Sequence, residues 1–108
     1  MAKWVLVMET NATDVAHEVE FNEWYNKIHL PDVLETPGFI RATRYENTRP
    51  SKEKAKFLAI YEIEADDIDK VMKALQDNVA KRRAEGRMSN LLVGVSRGVY
   101  KQIYSLSK

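Results

Sequence analysis

The sequence predicts an α+β domain whose elements run β-α-β-β-α-β. Two stretches repeat apolar residues at three- and four-residue steps, the period of an amphipathic helix. Short runs rich in β-branched and aromatic residues flank them. Capping aspartates, prolines and glycines fall between the segments, where a chain changes direction.

The elements follow in order. "KWVLVMET" (3–10) is almost wholly apolar, which suits a strand covered on both faces. Asp14 is placed to cap a helix from about Val15 to Ile28, with Phe21, Trp24, Tyr25 and Ile28 on one stripe. Pro31 is expected to stop it, lacking an amide hydrogen and clashing with the preceding turn. A short second helical turn is expected over Asp32 to Glu35 before "TPG" redirects the chain. "FIRATRYENT" (39–48) and "KAKFLAIYEIE" (54–64) read as strands joined by a polar loop containing "RPSKEK". Asp66 or Asp67 caps a second helix, buried through Ile68, Val71, Met72, Leu75 and Val79 and ended by Gly86. A last strand falls within "SRGVYKQIYSL" (96–106), and the preceding "NLLVG" suits either a packed loop or an extra short strand.

This order is the split βαβ arrangement of ferredoxin-like folds, with an antiparallel sheet. Two helices cover only one face of such a sheet. Yet Trp4, Leu6 and Met8 point to one side of the first strand and Val5 and Val7 to the other. In the third strand Phe57, Ala59, Tyr61 and Ile63 are likewise opposed by Leu58 and Ile60. A bare apolar face of that size invites aggregation, so a homodimer packed sheet against sheet is expected.

Composition narrows the functions. The chain has 108 residues, 44% of them apolar and 31% charged, values of one globular domain. A net charge of +1 provides no strong field for nucleic acid or an anionic membrane. "RPSKEK" and "KRRAEGR" each include a glutamate and read as solvated surface. The absence of cysteine removes disulfides, thiolate metal sites and thiol nucleophiles. The apolar run near the N-terminus is too short for a signal segment, and a cytoplasmic location is expected.

"FNEWYNKIHLPDVLETPGFIRATRY" (21–45) resembles the dimeric α/β-barrel superfamily, in particular small EthD-like proteins. The resemblance rests on an aromatic pair, then a histidine, then "PGF" opening the next strand. It implies that residues 1–108 form one dimeric α/β-barrel domain whose two sheets pack together, each with a cleft between sheet and helices. Its members include monooxygenases, cyclases, isomerases, decarboxylases and dehalogenating enzymes, so the reaction must be argued from the site.

Around the first helix, Glu18, Asn22, Tyr25 and His29 fall within an arc of roughly 60°, a polar row beside the apolar stripe. His29 at the helix end would meet free carbonyls that favour its charged form, while an apolar cleft favours the neutral base. The balance suggests a pKa near neutrality, suited to proton transfer. The plain alternative is a half-buried ring bonded to a terminal carbonyl. The resemblance puts a histidine at this helix end in the substrate cleft. Asp32 is a candidate to orient the ring, or simply a first-turn carboxylate after Pro31. Tyr25 is a candidate to polarise a substrate oxygen, against ordinary core packing. Asn22, Trp4, Tyr61 and Arg44 are candidates for substrate binding. Arg41 and Arg44 fall on opposite faces of their strand, and similar sequences carry a basic residue at the position of Arg44.

Other chemistries lack their residues. His17 and His29 lie about 18 Å apart on one helix and no third ligand accompanies them, so no metal site is expected. No glycine-rich phosphate loop is present, and "SRGVY" lacks the frame of a nucleophile elbow. No cofactor is expected; a haem on His29 is a minor alternative within the resemblance. The leading expectation is a cofactor-independent enzyme acting on a small oxygenated compound by proton transfer, an isomerase, cyclase or lyase with His29 as acid/base. Cofactor-free monooxygenation is the alternative chemistry. A non-catalytic ligand-binding or structural dimer is the alternative class, and a cleft filled by its own side chains would favour it.

Overall fold

A computed structural model describes residues 1–108. β1 (Ala2–Ala12) runs through the middle of a four-stranded sheet of order β2-β3-β1-β4, with β2 at Phe39–Glu46, β3 at Phe57–Ala65 and β4 at Leu92–Lys101. Every pairing is antiparallel. Together with two helical segments this is the ferredoxin-like α+β fold expected from the element order.

The first helical segment departs from expectation at Pro31. After a 3-10 turn at Val15–His17, α1 (Glu18–Trp24) passes into a π-helical turn, Tyr25–His29, and then directly into α2 (Leu30–Leu34). The backbone stays right-handed helical through Tyr25, His29 and Leu30. Pro31 therefore does not stop the helix; it lies in the first turn of α2, where a missing amide hydrogen is tolerated. The wide turn just before it bonds Leu30 N–H to the Tyr25 carbonyl. Such a turn lets the ring avoid the carbonyl it would crowd in a regular helix. The chain reverses at Gly38, whose φ of 96° suits glycine and whose missing Cβ would lie 3.3 Å from the Glu64 carbonyl oxygen.

α3 (Ile68–Ala84) is capped by Asp67, whose carboxylate accepts from the amides of Asp69 and Lys70. It ends at Gly86 with φ 74°, as read from the sequence. The last strand begins earlier than expected, taking in Leu92–Gly94 of "NLLVG", and residues 102–108 lie beyond it. A bulge between Glu9 and Thr10 shifts its register against β1.

All the helices lie on one face of the sheet. β3 alternates with period two, Phe57, Ala59, Tyr61, Ile63 and Ala65 being buried. They join Leu6 of β1, Phe21, Tyr25 and Val33 from the first helical segment, and Val71 and Leu75 of α3 in one core. The opposite face presents Val5, Val7, Leu58 and Ile60, none of them fully buried, with Tyr45 and Tyr100 at 53% and 59% exposure.

A polar clamp joins α3 to α2. The Asn78 amide donates to the Asp32 carbonyl at 2.8 Å and to Thr36 Oγ1 at 2.9 Å. Arg82 donates to Asn78 Oδ1 and to Glu35. Arg87 grips the Asp32 carboxylate through Nε at 2.7 Å and Nη2 at 3.0 Å. No helix is long and apolar enough to cross a membrane.

Candidate functional site

Between α3 and the sheet lies an open cleft of about 760 Å³. Its floor is Leu6 and Met8 of β1, Tyr61 of β3 and His29 at the end of the π turn; its far wall is the face of α3 bearing Met72, Leu75, Gln76 and Val79. Met72 and Val79, read from sequence as core, are only partly buried against it and wall the cleft; Leu75 belongs to both core and cleft wall, and Val71 is buried as expected.

Trp24 stacks on the His29 ring, with centroids 4.8 Å apart and planes 20° from parallel. Tyr25 meets the same ring edge-on at 4.9 Å. Burial pulls the His29 pKa down to about 4, outweighing the upward pull of the Asp32 carboxylate, and Arg44 lowers it further. The near-neutral pKa expected at a helix end is corrected here: the helix continues past Pro31, so His29 is not at its terminus, and burial decides the charge state. His29 is a neutral imidazole at physiological pH.

Behind it lies a buried phenol pair. The Tyr25 and Tyr61 hydroxyls are 3.4 Å apart. Burial raises the pKa of both, so each remains protonated. Only Tyr61 faces the cleft; Tyr25 supports it from behind. The Arg44 guanidinium lies 4.2 Å from the centre of the Tyr25 ring and donates through Nη1 to Asn26 Oδ1. Its Nε and Nη2 are buried without a partner. Of the two arginines on β2, Arg44 turns to the helices, while exposed Arg41 lies 3.7 Å from Glu62 on the other face.

The remaining candidates are placed apart from this cluster. The Asp32 carboxylate is engaged by Arg87 rather than by the His29 ring, and Arg87 holds its pKa below the usual range. Asp32 acts on His29 only through space. Asn22 Oδ1 is buried without a partner and does not line the cleft. Trp4 donates its indole N–H to the Ala65 carbonyl and borders a separate hollow of about 430 Å³ with Tyr45, Ile60 and Tyr100. Glu18, first in the polar row, pairs with Lys56 at 2.6 Å. The structure thus brings His29, Tyr61, Tyr25 and Arg44 together. Sequence reasoning missed Met8, Met88, Leu92, Arg83 and Arg97, which also line the cleft. Only the helical spacing of Met72, Gln76 and Arg83 gave a signal for this wall. No group of three histidine, cysteine or acidic side chains could hold a metal ion.

The family profile described as Domain of unknown function (DUF4286) matches residues 5–91. No curated protein matches the sequence. Among solved structures, the haem degrader MhuD from Mycobacterium tuberculosis, with two haems bound in its active site, is similar at TM-score 0.64 and 17% identity, covering 96% of this chain and 99% of that one. A protein of the EthD family from Bacillus halodurans C-125 has TM-score 0.59 and 14% identity, over 95% of this chain and 100% of its own. A dimeric ferredoxin-like protein from an uncultured marine organism has TM-score 0.61 and 14% identity, over 100% of both chains. These likenesses bear on fold, and at that level the expected resemblance to EthD-like proteins holds.

Proposed function

We propose that this chain, which belongs to the DUF4286 family, is an enzyme acting on a small, largely apolar, oxygenated molecule bound in the α3 cleft. The observation that carries this reading is a neutral imidazole at the floor of an open apolar cleft beside a protonated phenol pair. His29 takes a proton from a carbon next to a carbonyl or phenol, and the Tyr61 hydroxyl donates to the oxygen on which negative charge then develops. Tyr25 fixes the Tyr61 hydroxyl, and Arg44 sets a positive charge behind both. Return of the proton to a different atom completes an isomerisation, cyclisation or elimination. No cofactor is needed for this step.

A second reading keeps the cleft and the base but lets oxygen attack the substrate anion. An activated methylene and O2 then give a carbonyl and water, the substrate supplying all the electrons. The fold neighbour MhuD, a haem degrader, supports this route. Oxygen uptake during turnover separates the two. A haem-dependent route would instead give a haemin absorbance shift lost with His29.

The enzyme acts as a homodimer, its outer sheet faces sealed against each other. The support is the uncovered Val5, Val7, Leu58 and Ile60 surface and the dimeric ferredoxin-like fold neighbour. His29→Ala should abolish turnover of small phenols and ketones while far-UV circular dichroism stays unchanged. Retained activity would remove His29 from the mechanism.

A further inference from the structure

The cleft is apolar inside and cationic at its rim. Lys73, Arg83 and Arg97 line it against a single acid, Asp69. That is a surplus of two positive charges on a chain whose whole formal surplus is +1. The residues outside the cleft therefore sum to a net charge of −1. His29, neutral, adds nothing to the charge of the cleft.

The rim cations are not equivalent. Lys73 is taken up by Asp77 at 2.9 Å. Arg83, in the last turn of α3, makes no ion pair. Arg97, opposite Met8 on β4, has only a weak contact from Nη2 to the Met72 sulfur at 3.9 Å. Their neighbours Arg82 and Arg87 are bound to acids of the clamp. The two uncommitted guanidiniums thus come from opposite walls of the cleft, one from the helix and one from the sheet.

We propose that the ligand carries a carboxylate held by Arg83 and Arg97, with its apolar body along Met8, Met72 and Val79 and its reactive end toward His29 and Tyr61. A guanidinium fork matches a carboxylate in shape and charge. Arg83 sits at the negative end of the α3 dipole, which offsets part of its charge and favours a singly charged group over a phosphate. The inference rests on reading the cleft as a ligand site and adds the class of ligand.

The test uses pyrenebutyric acid and 1-pyrenebutanol, which share an apolar body and differ in the carboxylate. Fluorescence titration at pH 7 should show the acid binding wild type about tenfold more tightly than the alcohol, an advantage that shrinks with salt. The double variant Arg83→Gln/Arg97→Gln should lose that advantage and leave the alcohol's Kd unchanged. Val79→Trp, which fills the cleft, should weaken both probes. If both bind equally and Val79→Trp displaces both, the carboxylate inference is overturned while the cleft reading stands. If neither binds, or Val79→Trp has no effect, both fall.

Discussion

At the residue scale, His29 sets the pH behaviour. Its pKa is about 4 in the folded chain and roughly 6.5 when unfolded. Between those values the unfolded chain binds more protons, so stability must fall as pH drops from about 6.5 toward 4. The full effect is on the order of 3 kcal/mol, present above the unfolded pKa and lost through the folded one. Urea unfolding across that window should show this slope in wild type and largely lose it in His29→Gln. A midpoint unchanged between pH 6.5 and 4.5 would mean that the ring is solvated. The importance of His29 as a candidate was legible in its sequence neighbourhood. Its charge state was not, because burial by Trp24 and Tyr25 depends on how the π turn aims the ring.

At the element scale, apolar periodicity revealed the helices and strands but not what happens at their joints. A proline after a helical run reads as a stop, yet a π turn upstream absorbs it, and such a turn has no residue signature of its own. The face of α3 had the same ambiguity: Met72 and Val79 share a stripe with Val71 and Leu75, and core wall and cleft wall obey one period. The Asp32–Arg87 contact spans 55 residues and carries no local signal at all. Asp32 is buried but its partner Arg87 is half exposed, so Asp32→Ala should lower stability by only about 1 kcal/mol, the freed guanidinium turning to solvent. Chemical denaturation measures it; a loss below about 0.5 kcal/mol would make the contact an ordinary surface pair.

At the scale of the whole molecule, the sheet has one covered face and one bare one, and this was readable because "KWVLVMET" and "FLAIYEIE" are apolar on both sides while two helices cover only one. Ile60→Lys places a charge at the centre of the bare face and should convert a dimer into a monomer in sedimentation while His29 and its cleft stay intact. A wild-type chain sedimenting as a single copy at micromolar concentration would defeat the sheet-to-sheet arrangement.

The clamp has a further bearing on the hollow it borders. Every strong side-chain hydrogen bond linking α3 to another element is made to α2 or to the chain just after it, none to the β-strands that form the opposite wall. The gap is thus bounded along one margin by polar bonds and along the other by the apolar packing of Val71 and Leu75 against the sheet. Without those bonds α3 would rest on its apolar contacts alone, while the strand ladder, bonded backbone to backbone, would keep its register.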